Sequence, residues 1–329
     1  MGRITIIMYH YVRELRDCRF PEIKGLAVAE FKTQLKYLKK HYEIISMENV
    51  IEAVKNKCEL PYNAALLTFD DGYIDHYINV FPILDENNVP GSFFPPAKAI
   101  ENCEVLDVNK IHFLLASKIS KDEIINEMNR MLTRYRKKYS LNEMGHYIKK
   151  LWSKTRFDSP QIAFIKTMLQ RELPEKLREL IVDRLFSKYV TKDERAFSKE
   201  LYMNLEMLKC MKRHRMYIGS HSYDHYWLNT LDRGAQKKEI ENSLVFLKNI
   251  GVNIDEWVMC YPYGAYDRSL LENLKKYNCI IGLTTEVGIA DFDKHGPLTL
   301  PRLDTNDFPK NNQVINKWTR EIKSKGIAL

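Results

Sequence analysis

Hydrophobic and polar positions follow two rhythms along the chain. "RITIIMYH" near the N-terminus is a nearly continuous apolar run, as expected of a buried strand, whereas "AEFKTQLKYLKKHY" sets Phe31, Leu35, Leu38 and Tyr42 on one helical face. The two rhythms then alternate. "YEIISM" predicts a short strand, "ENVIEAVKNK" a helix, "AALLTFD" a buried strand, "YIDHYINVFPILDENN" a helix and "VPGSFFPPA" a strand. From about 101 to 200 the sequence is almost entirely helical and highly charged. Alternation resumes with helix "NLEMLKCMKRHR", strand "MYIGSH", helix "DRGAQKKEIENSLVFLKNIG", strand "EWVMCYPYG", helix "DRSLLENLKKYN", strands "CIIGLTT" and "LTLPRLD", and a terminal helix from Asn312.

Repeated strand and helix units imply an α/β fold with a mainly parallel sheet. The polar residues narrow the choice between an open sheet and a barrel. His10, Asp70, Asp71, His221, Tyr263 and Arg302 all fall at or near carboxyl ends of predicted strands, and in a β/α barrel those ends converge on one face. The expected architecture is therefore a barrel formed by 1–100 and 201–329, with 101–200 an inserted helical subdomain able to cap the site.

Composition changes this picture little. At 329 residues, 45% hydrophobic and 29% charged, the chain can bury a sizeable core. The six cysteines form no CxxC pair, so neither a disulfide framework nor a thiolate zinc site is indicated. The N-terminal apolar stretch is too short for a signal sequence and no window approaches a membrane span, so the expected location is the cytoplasm. The net charge of +8 is concentrated in segments such as "TRYRKKYS" and "IKKLWSKTR", where cations interleave with apolar residues as on a solvated helix face. No nucleic-acid motif accompanies them. The charge suits an anionic substrate carrier or peripheral contact with anionic lipid.

The chemistry is concentrated in "TFDDG" and "HSYDH". Adjacent carboxylates at a strand end repel each other, and Gly72 adds an entropic cost, so stability alone does not explain Asp70 and Asp71. His221 and His225 are four residues apart, which brings both imidazoles to one ion if a helical turn follows the strand. A lone HxxxH is a weak signal. Joined to a distant Asp-Asp-Gly, it supplies two imidazoles and a carboxylate for one divalent ion: zinc first, with cobalt, nickel, iron or manganese as alternatives. One aspartate then holds the ion and the other serves as a base.

"TFDDG", "HSYDH" and "YPYG", in that order, resemble the first three motifs of the NodB-homology polysaccharide deacetylases, carbohydrate esterase family 4. The resemblance covers roughly 1–100 and 201–310. It implies a distorted, incomplete (β/α) barrel in which Asp70 is the general base and Asp71, His221 and His225 bind the metal. It also implies that the backbone amide of Tyr263 stabilises the oxyanion, with Pro262 and Gly264 shaping that loop.

Two departures from the family pattern stand out. Cys260 lies near the place where many members carry an arginine that orients the base, and Arg302 in "LPRLD" is the candidate replacement. The late Leu-x-His of the family is missing. His10, in "YH", instead resembles the permuted poly-N-acetylglucosamine deacetylase subgroup, which implies His10 as general acid. His76, on a predicted helix, and His295, in a loop, are set aside.

The expected function is metal-dependent hydrolysis of the N-acetyl group of an amino sugar, in a nucleotide- or lipid-linked precursor or a surface polysaccharide. The alternatives are deformylation of a lipid-linked formamido sugar and, in another class, a non-catalytic glycan-binding barrel.

Overall fold

The computed structural model describes residues 2–16, 18–310 and 315–324. Among these, nine strands form: β1 (Arg3–Tyr9), β2 (Glu43–Ile44), β3 (Ala64–Asp70), β4 (Ser92–Phe94), β5 (Tyr217–Ile218), β6 (Trp257–Cys260), β7 (Cys279–Val287), β8 (Ala290–Asp291) and β9 (Leu300–Asp304). Seven run parallel in the order β5-β4-β3-β1-β9-β7-β6. A parallel bridge between Ser220 and Met259 brings the two ends of that order together. Ser220 N–H donates to the Val258 carbonyl (3.0 Å) and Cys260 N–H to the Ser220 carbonyl (2.8 Å). The sheet thus curls into a distorted barrel.

β3 shows how the sequence separates inside from outside. All seven of its residues are buried, so no polar alternation marks its faces. Ala64 and Leu66 join Ile6, Phe94, Val258 and Leu300 in the barrel filling. Thr68 and Asp70 continue the same two-residue period and reach the carboxyl end on that inner face. Phe69 points the other way, stacking on Tyr9 (5.0 Å) and Phe93 (4.7 Å), while Phe31 from the helix Val28–His41 meets Tyr9 edge-on (5.4 Å). Truncating such an aromatic typically costs about 3–5 kcal/mol.

Asp232 and Asp267 explain where two barrel helices begin. Each carboxylate accepts the N–H three residues on, at 2.9 and 2.8 Å, capping Arg233–Asn249 and Arg268–Lys276.

Several elements differ from the sequence expectation. β2 and β5 are two residues each, and β8, antiparallel to β1, had no periodic signal in so short a stretch. The helix expected over 73–88 forms over 74–86 but contains a π-turn, His76–Val80, that leads into the α-helix Phe81–Glu86. Pro82 lacks an N–H and crowds the preceding turn, which favours that widened winding. The expected start of the last helix, Asn312, lies outside the described residues; Lys317–Ser324 is helical.

The chain divides into two compact units, Met1–Glu14 with Gly25–Cys103 and Lys199–Leu329, and Leu15–Lys24 with Glu104–Ser198. The second unit is helical. Its core includes Phe113 and Phe186, each packed edge-on against Phe197 at 4.8 and 5.3 Å, and Phe20 of the 15–24 stretch against Phe113 at 5.0 Å. The six cysteines are free thiols, and no helix among the described residues is long and apolar enough to cross a membrane.

Candidate active site

Asp70 ends β3, and the chain then turns sharply. Asp71 has φ 71° and Gly72 φ 64°, both left-handed. A Cβ on Gly72 would lie 2.7 Å from Pro95 Cβ, so both the backbone and the space require glycine there. The turn sends the two adjacent carboxylates into different surroundings.

Asp70 meets Arg302. The guanidinium, fully buried on β9, clamps the carboxylate through Nη1 to Oδ1 (2.9 Å) and Nη2 to Oδ2 (2.8 Å). Arg302 is itself fixed, donating from Nε to the Thr284 carbonyl (2.8 Å) and from Nη1 to Thr68 Oγ1 (3.2 Å). Burial pushes the Asp70 carboxyl up, but Arg302 and His221 outweigh it and hold it at about 2.

Asp71 meets the histidines. Its Oδ1 is 3.3 Å from Nε2 of His221 and 3.3 Å from Nε2 of His225, all three side chains being buried. Ligands about 2.1 Å from a tetrahedral ion lie roughly 3.4 Å apart, so this spacing fits a divalent metal. The outer contacts fit as well. His221 Nδ1–H donates to the Cys260 carbonyl (2.8 Å), leaving Nε2 as the ligand atom, and Tyr73 O–H donates to Asp71 Oδ2 (2.6 Å), leaving Oδ1 toward the imidazoles. Burial opposes charge on Asp71, yet hydrogen bonds with His221 and His225 hold its carboxyl well below the usual range. Asp70, His221 and Cys260 form a second close group. It suits an ion less: both Asp70 oxygens are engaged by Arg302, and burial pushes the Cys260 thiol up, away from the thiolate that binds metals.

The histidine spacing is delivered differently from the expected helical turn. Residues 221–227 have no helix, and Ser222 and His225 are left-handed at φ 60°. Ser222 Oγ accepts His225 N–H (3.0 Å), and Glu239 Oε2 accepts the amides of Tyr223 (3.1 Å) and Asp224 (2.9 Å). Lys98 pairs with Asp224 at 2.6 Å. Among described non-glycine residues with positive φ, six lie at helix C-termini and the other four are Asp71, Ser222, His225 and Tyr263. Such strain persists where surrounding contacts enforce it, and here it gathers around one cluster.

His10 lies at the rim, its Nε2 4.0 Å from Asp70 Oδ2 and its side chain 41% exposed. Beneath it His76, fully buried and pushed down to about 4 by burial, donates Nε2–H to the His10 carbonyl (2.8 Å). Tyr263 has φ 58° and packs edge-on to His225 (4.9 Å) and face-to-face on Trp227 (4.4 Å). Pro262 precedes it, and a Cβ on Gly264 (φ 67°) would meet the Thr285 backbone nitrogen at 2.8 Å. His295 lies apart from this group, its Nδ1 accepting the Asp291 N–H (3.0 Å). Sequence reasoning sets His76 aside and does not single out Tyr73, Trp227 or Glu239. Only Tyr73 and Trp227 carried a signal, as aromatics within a few residues of the motifs.

The family model for polysaccharide deacetylase matches residues 58–132 and 188–280, together just over half of the chain and including every member of the Asp71 cluster. The chain belongs to the polysaccharide deacetylase family. This deacetylase-family chain is 34% identical over 95 residues to the poly-beta-1,6-N-acetyl-D-glucosamine N-deacetylase of Escherichia coli (strain K12), a match spanning 29% of this chain but 14% of that protein. Its fold resembles the deacetylase PplD of Streptococcus pyogenes, solved with acetate, at TM-score 0.58 and 18% identity over 92% of this chain and 93% of PplD. IcaB from Ammonifex degensii aligns at TM-score 0.54 and 16% identity over 93% and 92% of the two chains.

Proposed function

We propose that this family member is a metal-dependent N-deacetylase acting on an N-acetylated amino sugar, with zinc as the first candidate for the ion. The observation that carries the reading is the division of labour between neighbouring carboxylates: Asp71 sits between two imidazoles while Asp70 is clamped by Arg302. Asp71, His221 and His225 would hold the ion. When bound, the ion supplies Lewis acidity, polarising the amide carbonyl and acidifying the attacking water.

The chain's own residues then move the protons. Asp70 takes one from the attacking water, with Arg302 fixing its rotamer and keeping it ionised. A carboxylate kept ionised beside Arg302 is free to accept that proton at neutral pH. The Tyr263 amide donates to the developing oxyanion, in a turn shaped by Pro262 and Gly264. His10, near Asp70 and open to solvent, gives a proton to the departing amine, in keeping with the permuted subgroup and its "YH" motif. Acetate and a free amino sugar result.

We further propose that the substrate is a precursor carried on a nucleotide or lipid diphosphate, that the reaction is cytoplasmic, and that the helical unit contributes to substrate choice. The test is release of acetate or formate from acetylated and formylated amino sugars in free, nucleotide-linked, lipid-linked and polymeric form. Acetate from carrier-linked sugars is expected. Turnover of long polymers alone would overturn the precursor reading, formate alone would make the protein a deformylase, and no release by metal-loaded protein would favour a glycan-binding barrel.

A further inference from the structure

The helical unit carries an exposed surface that is both basic and apolar. Residues 144–157, "MGHYIKKLWSKTRF", contain four lysines and arginines and no carboxylate. The helix Met144–Leu151 buries Met144 and Tyr147 but presents Ile148 outward, and every residue from 152 to 157 is exposed. Three large apolar side chains therefore face solvent within ten residues: Ile148 at 36%, Trp152 at 45% and Phe157 at 51%. Trp152 is anchored at its base by packing on Phe164 (5.5 Å), and the Arg156 guanidinium lies over the Phe157 ring (4.7 Å).

Three nearby carboxylates are already matched by cations. Glu143 pairs with Arg136, Glu172 with Lys150, and Asp158 with both Lys24 and Lys166. What faces outward is positive charge interleaved with aromatic and aliphatic groups. We propose that segment 148–157 docks the protein on an anionic bilayer surface, with Trp152 and Phe157 entering the headgroup region and Lys149 and Lys154 meeting lipid phosphates and carboxylates. Trp at the interface combined with nearby cations is the chemistry of peripheral lipid binding. The exposed Ile148 favours lipid over nucleic acid, because an aliphatic side chain gains little from a phosphate backbone.

The test is co-sedimentation of the full chain with phosphatidylcholine vesicles with and without phosphatidylserine. Binding is expected to the anionic vesicles and to weaken with added salt. At about fivefold per basic residue near an anionic surface, Lys149→Gln with Lys154→Gln should weaken it roughly 25-fold. Phe157→Ser should weaken it about tenfold or more. Trp152 is left intact because it packs on Phe164, and an unchanged thermal midpoint for each variant guards against misfolding. Absence of binding to anionic vesicles, or variants that bind as the wild type does, would overturn the proposal. So would tighter capture of an RNA duplex that depends on the same lysines, or a dimer in sedimentation that Phe157→Ser dissolves.

Discussion

A carboxylate enclosed by protein ionises only when neighbouring charge replaces the water it has lost, and for Asp70 that charge comes chiefly from Arg302. Its folded value of about 2 lies below the ordinary 3.8, so its contribution to stability is fully present above about pH 4 and is lost as pH falls through about 2. Removing the partner should be costly. Arg302→Met is expected to destabilise the protein by ~3–5 kcal/mol near pH 7, with Asp70→Asn restoring part of the loss in the double variant, as read from urea unfolding. A loss under about 1 kcal/mol for the single variant would mean that the clamp does not govern Asp70. His10 is tested by its leaving group. His10→Ala should keep metal and fold but lose turnover on an N-acetyl sugar by roughly 10²–10⁴, and much less on an activated acetate ester whose alcohol departs easily. Equal losses on both substrates would return His10 to a structural role. Asp70, Asp71, His221 and His225 were legible because polar side chains ended apolar runs. His76 was not, since its task depends on the His10 carbonyl, sixty-six residues away in sequence.

The loop after β5 carries the same lesson for an element. The four-residue spacing of the histidines suggested a helical turn, but two left-handed residues and the bonds made by Ser222 and Glu239 place the imidazoles instead. No periodicity reveals a carboxylate reaching from another helix. Burial raises Glu239 to about 7, against two backbone donors that favour its charge. With the folded value above the unfolded one, the stability it contributes is full below about pH 4.5 and is lost as pH rises through about 7. Glu239→Gln imitates the protonated acid, so the wild type should lose stability relative to that variant between about pH 5 and about pH 8 in paired urea titrations. Parallel curves would place Glu239 in a less buried state. Glu239→Ala, which leaves both amides without their acceptor, should weaken metal binding about 10–100-fold. β3 was read correctly end to end because it is long and apolar, while β2, β5 and β8 are too short to carry a period.

In the whole molecule, parallel strands bring their carboxyl ends to one face, so His10, Asp70, Asp71, His221 and Arg302 gather although they are spread over nearly three hundred residues. That convergence was already implied by where polar residues ended apolar runs. The grouping of 15–24 with the helical unit was not, since it follows from packing that no local window contains. The fold brings together a site in which Asp71, His221 and His225 would hold one divalent ion while Asp70 would do separate work as the base. Metal content and acetate release should therefore be measured on the same preparations of the wild type, Asp71→Ala and Asp70→Asn, with a carrier-linked N-acetylamino sugar as substrate. The wild type should hold about one ion per chain and turn over substrate, and Asp71→Ala should lose both. Asp70→Asn should retain its ion with turnover reduced roughly 10²–10⁴-fold. Full metal content in Asp71→Ala, or undiminished acetate release by Asp70→Asn, would contradict this division of roles.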